Sequence, residues 1–434
     1  MEKKKHVREK KKEKPQPGDL VEIHLTKIIY EGVLLESPED AKDIVLLKLD
    51  SGYNIGFKKK DVLQINVLER FRESGRAGEV PKGAQGKPNI AMIITGGTIA
   101  SRLDPRTGGV DPLSRPEDLF KFYPEIFKLV NVSRIEVPFT KPSEDMDWKD
   151  WKKIAQVAQK LLNDPEIKGI IVTHGTDTLH YTSAALSFFL KDLNKPVVLT
   201  YSQRSIDRAS SDANLNLQCA ALTAISDIAE VMLVGHATEN DDFCFAMPGT
   251  KVRKLHSSRR DAFKVVNAEP YAKIYPDTVE RISSYNLRNK KKVKLDAKWD
   301  ERVALVKFYP GQSPDILDYY LKKKYKGIVV EMTGLGHVAA RRARNSWIKK
   351  LNEVQKKGMI VCAAAQTIFG RLDPYVYSSG REILKTRVIY LEDMLAETAL
   401  VKLGWVLAKT QDREKVKSMM LENFSGELND RLEK

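Results

Sequence analysis

Two short loops, each rich in glycine and hydroxyl side chains, carry residues that could support nucleophilic catalysis. The segment TGGTIAS at 95–101 follows one apolar run, and THGTDT at 173–178 follows another. A threonine hydroxyl is a weak nucleophile unless a neighbouring base or cation assists it. If the loops meet, Thr176 and Asp177 could activate Thr98. Taken singly, the first loop could equally be a tight turn, and in the second loop Thr176 or Asp177 could simply cap the apolar helix that follows.

The surrounding pattern predicts a parallel sheet that would bring these loops together. Apolar strand-like runs alternate with helix-length amphipathic stretches over residues 89–290 and again over 300–434. Such alternation is typical of α/β folds, in which ligands lie at the carboxyl ends of the strands. We therefore expect the functional residues in the loops that follow strands.

The pattern before residue 89 is different. Residues 16–70 contain short runs with strand-like alternation, which predict a small all-β barrel domain. Residues 71–88 are rich in Gly, Pro and Lys and predict a linker. Residues 1–15 predict a basic flexible arm, since the first 14 residues include eight Lys or Arg.

The composition bounds the class of protein. With 42% hydrophobic and 30% charged residues, and apolar runs far shorter than the roughly 18 residues of a membrane span, we expect a globular cytoplasmic protein without membrane contact. The net charge of +15 favours a polyanionic partner, but solvated basic faces explain it equally well. The single cysteines Cys219, Cys244 and Cys362 predict reduced core residues rather than a metal site or disulfides.

The two glycine-containing loops resemble the signature loops of the L-asparaginase/glutaminase family. Three further segments are similar to that family, in the same order: SEDM at 143–146, RSIDRASSDANLNL at 204–217 and KVRKLHSSRRDAFKVVN at 251–267. The resemblance implies an α/β fold class, with two asparaginase-like α/β domains at 89–290 and 300–434 preceded by the small all-β barrel domain.

The resemblance also implies the catalytic residues. Thr98 would be the nucleophile that accepts the acyl group. Thr176, Asp177 and Lys254 would form the relay that activates it. Lys254 is placed by its spacing within its segment, and Lys251 is the nearest alternative.

The same resemblance implies how the amino-acid end of a substrate is held. The Ser143 side chain and the Thr176 backbone would bind the α-carboxylate. Glu144 and Asp177 would bind the α-ammonium, because carboxylates form charge-assisted hydrogen bonds with ammonium groups. The residues expected to contact substrate, besides the relay, are Ser143, Glu144, Gly97 and Gly175.

The loop after the nucleophile departs from the family pattern. The family places a tyrosine in this mobile loop, whereas LDPRTGGV has Pro105 at the expected position. Thr107 or a residue of another chain could substitute, or catalysis could await the binding of a partner. Gly108 and Gly109 still permit movement of the loop.

A narrower resemblance covers nearly the whole chain. The N-terminal β-domain, TGLGHV at 333–338, VYSSGRE at 376–382 and LEDMLAETALVKLGWVLA at 391–408 are similar to the glutaminase subunits of archaeal tRNA-dependent amidotransferases, a branch of the family. This implies that glutamine is hydrolysed to glutamate and ammonia. The ammonia would pass to a separate E subunit, which converts Glu-tRNA(Gln) to Gln-tRNA(Gln). We expect no cofactor in this chain, ATP and Mg²⁺ in the partner, and a homodimer within a heterotetramer.

Two other functions fit the same residues. A free-standing cytoplasmic L-asparaginase would share the chemistry and need no partner. A nucleic-acid-binding protein on an inactive amidohydrolase scaffold would account for the positive charge, the basic arm and Pro105.

Overall fold

The computed structural model describes residues 14–37, 42–49, 54–70, 86–103, 110–112, 125–206 and 210–431. Most of the basic arm and of the linker, and the loop with Pro105, Thr107, Gly108 and Gly109, lie outside these ranges. The chain divides into two compact units. The first holds the N-terminal strands and a short two-stranded element after the nucleophile loop, and the second holds the rest.

A five-stranded antiparallel sheet forms the first unit. Its strands are β1 (Leu20–His24), β2 (Ile29–Leu35), β3 (Ile44–Lys48), β4 (Asn54–Lys58) and β5 (Gln64–Glu69). They are ordered β4-β3-β2-β1-β5. Val21, Ile23 and Leu47 are fully buried. The alternation of buried and more exposed positions along β1 and β3 is the period of two that a half-buried strand requires.

The second unit contains a large mixed sheet. Its strands are β6 (Asn89–Ile94), β9 (Asn131–Glu136), β10 (Ile170–Thr173), β12 (Val197–Thr200), β13 (Val231–His236), β14 (Cys244–Pro248), β17 (Ala272–Ile274) and β18 (Val279–Arg281). They are ordered β18-β17-β14-β13-β12-β10-β6-β9, and the five from β13 to β9 run parallel. The buried apolar runs of β6, β10 and β12 suit a sheet covered on both faces.

A second, parallel sheet lies in the C-terminal half of this unit. It consists of β20 (Val303–Lys307), β21 (Gly327–Met332), β22 (Ile360–Ala365) and β23 (Ile389–Tyr390), in that order. Among the described residues, short strands also pair as β7 (Ser101–Leu103) with β8 (Val110–Pro112), β11 (Leu190–Lys191) with β19 (Lys294–Leu295), and β15 (Val252–Lys254) with β16 (Phe263–Val265).

Helices flank both sheets of the second unit. They are α1 (Ile126–Leu129), α2 (Trp148–Leu162), α3 (Leu179–Phe189), α4 (Ala213–Ile225), α5 (Ile316–Lys322), α6 (Ile348–Lys356), α7 (Ser378–Lys385), α8 (Ala396–Leu407) and α9 (Arg413–Leu421). Helices α3 and α8 pack together, and the rings of Phe188 and Trp405 stack with centroids 5.5 Å apart. One apolar core therefore joins the two sheets.

The predicted fold class is confirmed: two α/β regions follow a strand-rich N-terminal region. Cys219, Cys244 and Cys362 are buried and unbridged, as predicted for core residues. Within the described part of the chain, every helix is too short or too polar to cross a membrane.

Candidate active site

The carboxyl ends of β6 and β10 bring the two predicted loops together. Both the backbone N–H and the side-chain hydroxyl of Thr95 donate to the carbonyl oxygen of Thr173, at 3.2 and 2.8 Å. Gly97 has φ of 83°, a left-handed conformation that glycine adopts without steric cost. A Cβ at Gly97 would lie 2.5 Å from the backbone nitrogen of Gly175. The loops touch through these two glycines, so any larger residue there would force them apart.

A third loop joins them through Ser143. A Cβ at Gly175 would lie 2.9 Å from Ser143 Oγ. The Thr178 hydroxyl donates to the carbonyl oxygen of Ser143 at 2.6 Å, which ties this loop to the second one. Ser143 is buried, and its Oγ has no hydrogen-bond partner among the described residues. A buried hydroxyl of this kind is available to a ligand that reaches it.

Thr98 follows the paired glycines directly and begins a short 3₁₀ helix, Thr98–Ala100. Its own side chain is half-buried, whereas the next two residues, Ile99 and Ala100, are buried and anchor the turn in the core. The predicted nucleophile is thus held on a fixed turn beside the second loop.

Lys254 lies at the end of β15 and reaches the second loop. Its Nζ donates to Thr176 Oγ1 and to Asp177 Oδ1, both at 2.7 Å. The lysine side chain is 10% exposed, whereas that of Asp177 is 61% exposed. The cation is therefore enclosed, while the carboxylate it contacts faces solvent and could also meet a substrate. The pairing of Lys254 with Phe263 fixes the end of β15 against β16.

The alternative lysine has a different position. Lys251 Nζ lies 2.7 Å from Asp393 Oδ2, and both side chains are almost completely buried. Of the two candidates that the sequence left open, the structure brings only Lys254 to Thr176 and Asp177.

The second loop also begins helix α3, as its sequence predicted. The N-cap is Thr178, and it makes no side-chain capping bond. The side chains of Thr176 and Asp177, the capping candidates from the sequence, accept from Lys254 instead. Glu144, the other predicted ammonium ligand, is exposed in the 3₁₀ helix Ser143–Asp145.

Sequence reasoning missed the contribution of His174. The ring is fully buried, its Nδ1 lies 2.7 Å from the carbonyl oxygen of Gly175, and its Nε2 lies 2.9 Å from Thr182 Oγ1. Burial lowers the pKa of His174 to about 4, so the ring is neutral at pH 7. The neutral ring can donate to Gly175 and accept from Thr182, which locks the loop to helix α3. The available signal was a histidine inside a glycine-containing loop directly after an apolar run, although that signal does not identify Thr182 as its partner.

The site is built from oxygen and ammonium groups. Groups of three or more His, Cys, Asp or Glu side chains that could hold a metal are not found in the described ranges. The arrangement instead offers a threonine on a fixed turn, a lysine joined to a second threonine and a carboxylate, and an unpartnered serine hydroxyl. This set can attack a carbonyl carbon and hold a charged amino acid.

Matches to protein families define the class to which this fold and site belong. Residues 89–286 match the family of the asparaginase N-terminal domain, and residues 302–420 match the glutaminase/asparaginase C-terminal domain. Residues 15–68 match the GatD N-terminal domain. The second unit is therefore an asparaginase-type α/β structure, and the all-β region before it belongs to a narrower group.

Curated relatives identify that group. Over 420 residues the chain is 47% identical to the D subunit of glutamyl-tRNA(Gln) amidotransferase from Pyrococcus abyssi, covering 95% of this chain and 94% of the relative. It is 42% identical over 422 residues to the corresponding protein of Methanothermobacter thermautotrophicus, with the same coverage. The chain belongs to the family of glutamyl-tRNA(Gln) amidotransferase D subunits, which confirms the resemblance seen in its sequence.

Solved structures agree with the class. The thermostable L-asparaginase from Thermococcus kodakarensis is 29% identical, with a TM-score of 0.69 over 79% of this chain and 100% of that one. A probable cytoplasmic L-asparaginase from Campylobacter jejuni is 27% identical, with a TM-score of 0.64 over 78% of this chain and 100% of that one.

Proposed function

We propose that this chain is the glutaminase subunit of a tRNA-dependent amidotransferase. It hydrolyses glutamine to glutamate and ammonia through an acyl-enzyme on Thr98 and supplies the ammonia to a partner subunit. The observation that carries the proposal is the contact of Lys254 Nζ with both Thr176 and Asp177. These two residues lie in the second loop, which packs through Gly175 against the loop that carries Thr98.

The chemistry proceeds in two balanced steps. The Thr98 hydroxyl attacks the side-chain amide carbon of glutamine, and its proton passes through the Thr176 hydroxyl to the amide nitrogen as the C–N bond breaks and ammonia leaves. Water then attacks the resulting ester, the bond to Thr98 breaks, and glutamate and the free hydroxyl are regenerated. The lysine aids the first step because a cation beside the relay stabilises the developing alkoxide.

The amino-acid end of the substrate fits the remaining groups. Ser143 Oγ, buried and unpartnered among the described residues, donates to the α-carboxylate together with the Thr176 backbone. The exposed carboxylate of Asp177, with Glu144, accepts from the α-ammonium. Gly97 and Gly175 leave room for the backbone to approach the substrate closely.

The relatives are D subunits of an amidotransferase, and this supports a wider assembly. In this proposal the partner is an E subunit that binds ATP and Mg²⁺ and amidates Glu-tRNA(Gln), and two copies of each chain form a heterotetramer in the cytoplasm. This chain needs no cofactor, since the hydrolysis uses only the side chains described above.

A second candidate is a free-standing L-asparaginase. It is favoured by the two solved L-asparaginases, which this chain matches over their whole length. The N-terminal all-β unit argues for the first candidate, because residues 15–68 match the GatD N-terminal domain. The inactive nucleic-acid-binding scaffold is disfavoured by the complete set of Thr98, Thr176, Asp177 and Lys254.

Hydrolysis of glutamine and of asparagine, measured with and without the E subunit and tRNA, separates the candidates. The proposal predicts glutamine hydrolysis that the complete complex stimulates and that is coupled to Gln-tRNA formation. Robust turnover of asparagine by the isolated chain, unaffected by the partner, would favour the free-standing enzyme instead.

A further inference from the structure

The strand that carries Lys254 is tied to the C-terminal half of the molecule by two ion pairs. Lys251, directly before β15, pairs with Asp393 at 2.7 Å, and Arg253, next to Lys254, pairs with Glu397 at 2.8 Å. Asp393 and Glu397 flank the start of helix α8 and are 0% and 8% exposed.

A third contact joins the same two segments. The Thr398 hydroxyl donates to the carbonyl oxygen of Thr250 at 2.9 Å, and Thr398 is buried. Three anchors therefore connect residues 250–253 to residues 393–398. Apart from Lys251, none of these side chains stands out by its type or spacing in the sequence.

The direction of the side chains explains what the anchors can do. Successive side chains of a strand point to opposite faces. Arg253 therefore faces α8, while Lys254 faces Thr176 and Asp177, which it contacts. A shift of β15 away from the second loop would lengthen both hydrogen bonds of Lys254, which are 2.7 Å long.

The ion pair of Glu397 is poorly suited to a purely stabilising role. Its Oε2 is buried and has no hydrogen-bond partner among the described residues, so only one of its two oxygens is satisfied. Burying the Glu397 carboxylate with one unsatisfied oxygen offsets the attraction of the partly exposed Arg253 through desolvation, so the pair gains little net stability. Its presence is explained if the pair holds Arg253, and with it β15, in place.

The start of α8 is itself firmly held. Helix α8 packs on α3, which begins two residues after Asp177, and also on strand β21. The relay thus has two supports: α3 fixes Thr176 and Asp177 from one side, and the start of α8 fixes Lys254 from the other.

We propose that Glu397, together with Asp393 and Thr398, positions β15 so that Lys254 reaches Thr176 and Asp177. Glu397 is thus a positioning residue that acts through Arg253. The inference rests on the proposed function, because the relay is the one assigned to glutamine hydrolysis.

The test is a double-mutant cycle with Glu397→Gln, Arg253→Gln and both changes, measured in the complete complex. Each single variant should lower kcat for glutamine hydrolysis roughly tenfold with KM within about threefold, since misplaced catalytic groups slow the chemistry more than they weaken binding. The double variant should be no slower than the slower single variant, because both substitutions break the same ion pair.

The matched control is Asp300→Asn. Asp300 is similarly buried, at 10% exposure, and pairs with Lys326 at 2.7 Å without touching β15. It should lose stability but keep kcat. The inference is overturned if a folded Glu397→Gln or Arg253→Gln variant keeps kcat within twofold, or if Asp300→Asn loses as much. If one of the two single variants fails to fold, the other decides.

A crystal structure of Arg253→Gln gives a readout that does not require activity. We expect Lys254 Nζ to leave hydrogen-bond distance of Thr176 Oγ1 or Asp177 Oδ1. Unchanged bonds would overturn the positioning role even if the parent complex hydrolyses glutamine. If the parent complex lacks glutaminase activity but Lys254 still moves in Arg253→Gln, the proposed function is refuted and the positioning role stands.

Discussion

Two lysines in one short segment have opposite surroundings, and this difference separates function from stability. Lys254 Nζ contacts two groups of the predicted relay, whereas Lys251 Nζ is buried against Asp393. Removing the cation of Lys251 leaves the carboxylate of Asp393 buried and unpaired, whereas the carboxylate of Asp177 is 61% exposed and stays hydrated without Lys254.

We therefore expect Lys254→Met to lower the rate of glutamine hydrolysis by roughly 10² to 10³-fold, the range for loss of a group that stabilises charge in the transition state, with little change in stability. Lys251→Met should instead reduce the free energy of unfolding by about 3 to 5 kcal/mol, because Asp393 is left buried without its cation, and it should slow hydrolysis far less than Lys254→Met, because it breaks only one of the three anchors of β15. Steady-state kinetics and urea unfolding of both variants check this. A reversal of the two effects would mean that Lys251 is the relay lysine.

His174 gives the loop a pH dependence of stability. Burial lowers its pKa to about 4, against about 6.5 in an unfolded chain. The unfolded chain therefore binds the proton first, so the contribution of the neutral ring is intact above about pH 6.5. It is lost progressively as the pH falls towards 4, by roughly 3 kcal/mol in all.

The expected outcome is a shallower decline for His174→Gln than for the parent when the free energy of unfolding is measured by urea titration between pH 7 and pH 4. The variant should also be less stable at pH 7, because glutamine does not reproduce both hydrogen bonds of the ring. Parallel pH profiles would show that His174 is not the titrating group.

At the scale of the element, helix α2 begins directly after the SEDM loop and fixes where that loop ends. Asp147 is its N-cap and accepts from the backbone N–H of Lys149 at 2.7 Å, while Asp150 accepts from the backbone N–H of Asp147. This reciprocal capping box satisfies donors that the first turn would otherwise leave free.

Replacing the cap should therefore cost stability. We predict that Asp147→Ala lowers the free energy of unfolding by about 1 kcal/mol, the usual value for an aspartate N-cap. The matched control is Asp145→Ala, because Asp145 is an exposed acidic residue of the preceding turn and is not a cap. This change should reduce the free energy of unfolding by less. Equal losses in urea unfolding would show that the change reflects removal of negative charge rather than of the cap.

The elements that present the site followed from the sequence because their signals are local. The buried run of β6 before Gly96 and Gly97, and that of β10 before Gly175, mark strand-to-loop transitions that any single segment can reveal. The helix after Asp177 was likewise predicted, although its cap proved to be Thr178.

What could not be predicted depends on contacts between distant segments. The ion pair of Arg253 with Glu397 joins a strand to a helix that packs on the other sheet, and neither residue stands out among its neighbours in the sequence. The locking of His174 by Thr182 needs the turn of α3 to bring the hydroxyl back over the loop. Local pattern carries no information on such pairs, because packing alone decides them.

At the scale of the whole molecule, the two units have separate cores and different matches among known proteins. The small sheet packs around residues such as Val21, Ile23 and Leu47, and it matches the GatD N-terminal domain. The α/β unit carries the whole relay and matches the two asparaginase domains. The chemistry is thus assigned to the second unit, and the first distinguishes the chain from plain asparaginases.

The measurement that tests the central claim most directly uses Thr98→Ala in the complex with the E subunit, tRNA and ATP. Thr98 is the one group that would bond covalently to the substrate, whereas the partner would use ammonia from any source. The variant should lose Gln-tRNA formation with glutamine as the donor and keep it with added ammonium. Glutamine-dependent formation at the parent rate in Thr98→Ala would contradict the account.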